Sequence, residues 1–233
     1  MDFKKKTKAN ERFYKTTRYF LKPFILKKFR PLVLNKEVTS TKEQRIFVSN
    51  HRKTVDSLIL YAILSAPIHW CALRRFFENK DSIFGNNKSP ILCKITSVFF
   101  NKAGFIPIDR KVEEDKKQPS KEAYISKDSF KSIIKYLRNG SSLALYPEGT
   151  INKNYKSYEL LPFQNGFASL SKKHKVVIQP VSMVWKNKKA IVNFADPINP
   201  KNLTKEEIFN KTISAIELGI AENNSYQLKK VKK

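Results

Sequence analysis

Arg45-Ile46-Phe47-Val48-Ser49-Asn50-His51-Arg52-Lys53-Thr54-Val55-Asp56-Ser57-Leu58-Ile59-Leu60-Tyr61-Ala62 is the stretch on which the fold turns. Its first six residues read as a short buried strand. The apolar run Leu58 to Ala66 reads as part of a helix from about Thr54 to Ser65. A strand feeding into a helix is the repeating unit of α/β sheets. The bend between the two is where such folds gather their sites.

The alternation continues downstream. Ile68 to Leu73 reads as a strand, 78–90 as a polar loop, Pro90 to Asn101 as a helix and Gly104 to Ile108 as a strand. The charged residues 111–127 read as a mobile surface loop. Asp128 reads as the N-cap of a helix with Phe130, Ile133, Ile134 and Leu137 on one face, closed by Gly140. Ser142 to Tyr146, Val176 to Val184 and Ala190 to Phe194 read as strands, and Phe167 to Lys172 as helical. Thr204 and Glu207 form a capping box that opens a last helix. The Lys-rich tail from Lys229 reads as frayed. Together these predict an α/β domain over residues 45–233.

Residues 1–44 read as a separate basic amphipathic element. Phe13-Tyr14, Tyr19-Phe20-Leu21, Phe24-Ile25-Leu26 and Phe29 recur at roughly helical spacing, with Lys15, Arg18, Lys22, Lys27, Lys28 and Arg30 between them. Pro23 is expected to kink or split this helix, and Pro31 to end it. Such a helix suits the surface of an anionic bilayer. It equally suits packing on its own domain with its charges solvated.

The 233 residues carry 46 Lys and Arg against 20 Asp and Glu, a net charge of +26. A charge this large implies an anionic partner, and does not separate nucleic acid from anionic lipid. A hydrophobic content of 41% is too high for a disordered chain. The two cysteines, Cys71 and Cys93, read as buried free thiols in a reducing compartment. Three histidines assemble no zinc pattern, so no metal is expected. The N-terminus lacks the apolar core of a secretory signal. No stretch reaches the ~18 apolar residues that span a bilayer. If the protein meets a membrane, it lies on it, without a transmembrane span.

His51 and Asp56 are five residues apart. In a regular helix they would not share a face. They meet if His51 lies in the bend before the helix and Asp56 one turn inside it. A carboxylate on one imidazole nitrogen then fixes the tautomer, and the other nitrogen takes a proton from a substrate hydroxyl. No Ser or Cys nucleophile is needed. Taken alone, the HxxxxD spacing is more often a capping Asp beside an interfacial His.

Three further stretches accompany it. Gly104-Phe105-Ile106-Pro107-Ile108-Asp109-Arg110 ends a strand on Arg. Tyr146-Pro147-Glu148-Gly149-Thr150 ends another on a Glu-Gly turn. Val176-Val177-Ile178-Gln179-Pro180-Val181 is a strand interrupted by Pro180. With Asn50 to Asp56, these four ordered blocks resemble the glycerol-3-phosphate and 1-acylglycerol-3-phosphate acyltransferases. They span Asn50 to Val181.

The resemblance implies a mixed sheet flanked by helices. It implies transfer of a fatty acyl group from a thioester to a glycerol hydroxyl, with His51 as general base and Asp56 as its orienter. Arg110 would meet the acceptor's phosphate, as a guanidinium at a strand end can do bidentately. Glu148, Gly149 and Thr150 would shape the acceptor pocket. Glu148, an anion near a phosphate, better suits orienting Arg110 or binding a glycerol hydroxyl. The chain departs from the family pattern in three places: Ile151 and Asn152 follow Glu-Gly-Thr where Arg or Ser is frequent, Gln164 stands where Lys is common, and Arg74 stands in for a Lys after the strand Ile68 to Leu73. They bear on the acceptor, not on the reacting centre.

The expected reaction is acylation of lysophosphatidic acid to phosphatidic acid at the cytoplasmic face of a membrane. The donor is an acyl carrier protein or coenzyme A thioester, with no other cofactor. Glycerol-3-phosphate or another lysophospholipid is the rival acceptor. A nonenzymatic basic protein that binds nucleic acid or lipid is the rival class. No nucleic acid partner is expected, since no RNP, KH or zinc pattern is present. His69 reads as core or rim and His174 as part of a solvated turn.

Overall fold

The computed structural model describes residues 3–80, 89–113, 118–152 and 159–226, with side chains for all of these except 3–4, 110–113 and 118–124. In chain order the elements are α1 Phe3–Phe29, β1 Leu32–Leu34, β2 Arg45–Ser49, α2 Asp56–Ile63, β3 Ile68–Leu73, α3 Pro90–Lys102, β4 Ile106–Glu113, β5 Gln118–Tyr124, α4 Lys127–Arg138, β6 Ser142–Leu145, α5 Gly166–His174, β7 Val177–Lys186, β8 Lys189–Phe194 and α6 Lys205–Ser225.

The strands form one sheet in the order β1-β8-β7-β2-β6-β3-β4-β5. β2 lies between β7 and β6 and is parallel to both. The pairs β7–β8 and β4–β5 are antiparallel, so the sheet is mixed, as expected. β2 is buried at every residue. Its side chains alternate between faces, as the two-residue period of a strand requires. Ile46 and Val48 enter a core shared with Ile133 of α4, Phe167 of α5 and Ile216 of α6. Phe47 enters the opposite core, with Ile59 and Leu60 of α2 and with Ile25 and Phe29 of α1 packed against it. The sheet is therefore covered by helices on both faces.

Several elements differ from expectation. α1 runs through Pro23 unbroken. The carbonyl that Pro23 cannot serve belongs to the exposed Tyr19, where water can take the bond. The helix ends at Phe29, just before Pro31, with Arg30 at a φ of 41°. The charged segment 111–127 is not a loop throughout: β4 continues to Glu113 and pairs with β5 as an edge hairpin. Ser126, not Asp128, caps α4, its hydroxyl accepting from the Ser129 N–H. β7 passes through Pro180 without a break, because its ladder to β8 begins only at Val181. The Gln179 amide donates to the Ala195 carbonyl beside it. The Thr204–Glu207 capping box is formed. The tail from Lys229 lies outside the described residues.

One side of α1 is fastened to the domain. Tyr14 is buried and meets Tyr61 edge-on at 4.5 Å. Asn10 donates to the Tyr136 hydroxyl at 3.1 Å. Gly104, with φ of 74°, lets Asn10 approach: a Cβ there would stand 2.5 Å from the Asn10 amide nitrogen. His69 is core, as expected, stacked on Tyr136 at 3.7 Å. Burial pushes its pKa down to about 4, so the neutral ring donates from Nδ1 to the Gly104 carbonyl. His174, expected in a solvated turn, is instead the half-buried last residue of α5. Both cysteines are free, Cys93 buried and Cys71 half-buried. Among the described residues no helix is long and apolar enough to cross a membrane.

Candidate active site

The chain turns out of β2 at Asn50, which is fully buried. Its side-chain amide makes a two-way pair with the Met183 backbone of β7, donating at 2.9 Å and accepting at 2.7 Å. That pairing fixes where His51 leaves the sheet. Asp56 is the first residue of α2, and its carboxylate folds back over the bend. Oδ2 accepts from the backbone N–H groups of Arg52 at 2.6 Å and Lys53 at 2.7 Å. His51 Nδ1 lies 3.1 Å from the same oxygen. Oδ1 accepts from the Trp185 indole at 2.9 Å. Asp56 is fully buried, and four donors together with a helix N-terminus offset that burial. The structure thus brings His51 and Asp56 together through the bend.

The His51 ring stacks on Tyr146 with centroids 4.0 Å apart and planes 13° from parallel. Burial, and then the nearby Asp56 charge, hold the Tyr146 phenol well above its ordinary pKa, so it stays neutral. Past β6 the chain makes a turn in which Gly149 adopts φ of 64° and donates to the Tyr146 carbonyl at 3.0 Å. Glu148 is buried behind this turn. One carboxylate oxygen accepts from the His51 N–H at 2.7 Å and the other from the Leu161 N–H at 3.1 Å. Burial raises its pKa, opposed by these hydrogen bonds and by the Arg52 and His51 charges. The Asn152 N–H donates to the His51 carbonyl at 2.8 Å. Both backbone groups of His51 are therefore held by the segment after β6.

A cavity of about 290 Å³ opens beside His51. Trp70, Phe76, Phe100, Phe105, Phe130 and Leu170 give it an apolar interior, while Gly149 and Thr150 sit with His51 on its wall. These aromatics come from separate elements and read as ordinary core in the sequence, so sequence reasoning missed them.

The remaining expected site residues fall in different places. Glu148 does not line the cavity, and both its oxygens point at backbone amides. Arg74 forms a bidentate pair with Asp109, Nε to Oδ1 at 2.6 Å and Nη2 to Oδ2 at 2.9 Å. The guanidinium holds the Asp109 carboxyl below its usual range. Its neighbour Arg75, which sequence reasoning did not single out, lines the cavity instead. The Arg110 backbone lies in β4 opposite Ala123, and its side chain is outside the described residues. Arg52, also unremarked in the sequence, is buried with the charges of Glu148 and Asp56 near it. Burial lowers its pKa and those two anions raise it. Among the described residues no cluster of His, Cys, Asp or Glu could hold a metal.

The dual role of Glu148 has a measurable consequence. Glu148→Ala strands two backbone donors, each worth about 1–3 kcal/mol when left unpaired. The expected loss of about 3 kcal/mol lowers Tm by roughly 6–12 °C for a chain of this size. A thermal melt within a degree of wild type would show that water replaces the carboxylate without cost.

An imidazole–carboxylate pair beside an apolar cavity stands at the ends of parallel strands, where an α/β enzyme domain keeps its site. The chain belongs to the acyltransferase family, whose model matches residues 30–184. Its fold is similar to that of the 1-acyl-sn-glycerophosphate (LPA) acyltransferase PlsC from Thermotoga maritima. The two share 16% sequence identity and superpose with a TM-score of 0.62, covering 92% of this chain and 84% of the other. No curated protein matches the chain.

Proposed function

We propose that the protein transfers a fatty acyl group from an acyl thioester to the free hydroxyl of lysophosphatidic acid, giving phosphatidic acid. The observation that carries this reading is His51: its Nδ1 is held by Asp56 while its ring borders an apolar cavity. Nε2 takes the proton of the acceptor hydroxyl as that oxygen attacks the thioester carbonyl. The carbon–sulfur bond breaks, and the thiolate leaves with the proton returned from His51. Asp56 orients the ring and stabilises the imidazolium. Glu148 positions His51 through its backbone. The acyl chain occupies the aromatic-lined cavity. Arg110 and Arg75 serve the acceptor's phosphate, and Gly149 and Thr150 shape the pocket around it. Arg74, tied to Asp109, supports this wall. The reaction as written uses no metal or redox group. The donor is acyl carrier protein or coenzyme A thioester, both acidic, and the charge of +26 favours either.

A second acceptor reading has an observation behind it. Ile151 and Gln164 both line the cavity, where a cation would suit a phosphomonoester. A lysophospholipid whose phosphate is a diester is therefore the alternative this observation favours; glycerol-3-phosphate, a phosphomonoester like lysophosphatidic acid, stays a rival on the family resemblance alone. Transfer of radiolabelled acyl groups from both donor types to a panel of these acceptors, in anionic vesicles, tests the assignment. Product with lysophosphatidic acid above all others supports it, and no product with any acceptor overturns it.

The same reading places the protein on the cytoplasmic surface of an anionic membrane. Tyr19, Phe20 and Phe24 of α1 are 76%, 64% and 72% exposed, with Lys15, Lys27 and Lys28 exposed on the same helix. Phe20 and Phe24 follow Phe13 by seven and eleven residues, which on an α-helix returns them to the same side. Phe13 in turn meets Phe99 of α3, a helix that itself exposes Ile91, Ile95 and Val98. Phe20→Ser with Phe24→Ser is expected to weaken binding to anionic vesicles at least about tenfold, measured by cosedimentation. Undiminished binding of the double variant would count against α1 as the contact.

A further inference from the structure

We propose that Trp185 is a positioning residue for the His51–Asp56 pair: its indole N–H anchors one carboxylate oxygen and so fixes the other toward the imidazole. This rests on the reading of His51 as general base. Asp56 Oδ2 carries three donors: the Arg52 N–H, the Lys53 N–H and His51 Nδ1. Oδ1 accepts from Trp185 Nε1 at 2.9 Å. Asp56 is 0% exposed, so without the indole an anionic oxygen would be left in a buried place, and the carboxylate would turn to share its remaining donors. Such a turn moves the hydrogen bond that orients His51.

The indole is itself held. The Lys53 ammonium sits over its ring at 4.0 Å, and Phe29, the last residue of α1, meets it edge-on at 6.1 Å. It arrives from β7, the strand whose Met183 also fixes Asn50 at the exit of β2. Trp185 is not part of the cavity wall, so it reaches the reaction only through Asp56. It lies one residue beyond the segment that matches the family, which ends at 184. The other titratable and charged groups facing the pair are Arg52, Lys53, Tyr146 and Glu148.

Trp185→Phe keeps the ring and removes the donor. Losing a donor leaves more of the carboxylate's negative charge uncompensated, which favours a protonated imidazole beside it even as the turned carboxylate orients the neutral ring less well. The acid limb of kcat/KM against pH is then expected to move to higher pH. The plateau of kcat should fall about tenfold, the order expected for one hydrogen bond to a buried charge, with KM unchanged. Wild-type kcat with an unmoved limb overturns the proposal. So does a fall in kcat with an unmoved limb, which marks a merely structural residue. His51→Ala in the same assay separates the two levels. If it is inactive while Trp185→Phe behaves as wild type, only this inference fails; if it is active, the reading beneath it fails. Should Trp185→Phe not fold, the indole signals of the chain's two tryptophans decide. One indole N–H resonance should move between wild type and Asp56→Asn, and two unmoved signals overturn the proposal.

Discussion

His51→Ala is expected to lower kcat for acyl transfer by at least about 100-fold, the smallest usual contribution of a positioned general base. KM for the thioester should change little, since the acyl chain is proposed to bind in the aromatic cavity rather than on the imidazole. The substitution is well suited to a kinetic test because the backbone of residue 51 is tied independently of its side chain. Its N–H donates to Glu148 and its carbonyl accepts from Asn152. Both bonds survive in alanine. The lost stacking on Tyr146 leaves a void next to an existing cavity, where relaxation is easy. Tm should therefore fall only slightly while the rate collapses. A steady-state comparison at saturating donor, with thermal melts alongside, checks both. Near-wild-type turnover would remove His51 from the proposed chemistry altogether.

The site was partly legible in the sequence for a reason of chain geometry. His51 and Asp56 are separated by one bend, so their meeting depends on local conformation that a strand-then-helix pattern already implies. Glu148 was legible as a residue but not as a clamp. Its partners are the N–H groups of His51 and Leu161, and backbone amides leave no mark on composition. Arg74 and Arg75 show the limit from another side. Both follow β3 in one 3-10 turn, Arg74–Phe76, whose local geometry sends Arg74 to Asp109 and Arg75 to the cavity. Trp185 falls just past the strand expected at Val176 to Val184 and drew no reading, although its one polar atom reaches Asp56 across 129 residues of sequence.

The fold divides along similar lines. β2 and β3 follow from apolar runs whose type and length decide the element, while the mixed sheet covered by helices came only with the family resemblance. The β4–β5 hairpin did not follow, because its outer residues are charged and show no alternation to mark a buried face. In α1, packing on the domain occupies one side of the helix and leaves another uncovered. Thr7, Asn10 and Tyr14 bury one side of it, while Phe20 and Phe24 expose another. The periodicity marked a helix with aromatic content. Only the packing of Tyr14 on Tyr61 and of Asn10 against Gly104 shows which side the domain uses.

Asp56→Asn is expected to cost more than the loss of one charge, at least about a thousandfold in kcat, as when a triad carboxylate becomes an amide. An amide has one acceptor oxygen where the carboxylate has two, and all four groups around Asp56 are donors. If the amide oxygen stays with Arg52, Lys53 and His51, its NH2 confronts the Trp185 N–H. If the amide turns to satisfy Trp185, its NH2 confronts two backbone N–H groups and forces His51 Nδ1 to act as an acceptor. The imidazole proton then sits on Nε2, the nitrogen proposed to receive the substrate's proton, and the base is spent before reaction. The first arrangement can be relieved by removing the opposing donor. Adding Trp185→Phe to Asp56→Asn should thus not lower kcat further and should recover part of it, although Trp185→Phe alone slows the wild-type enzyme. That sign reversal is a coupling between residues in direct contact. A double-mutant cycle on kcat reads it directly, and simple additivity of the two losses would show that the indole and the carboxylate do not act on one another.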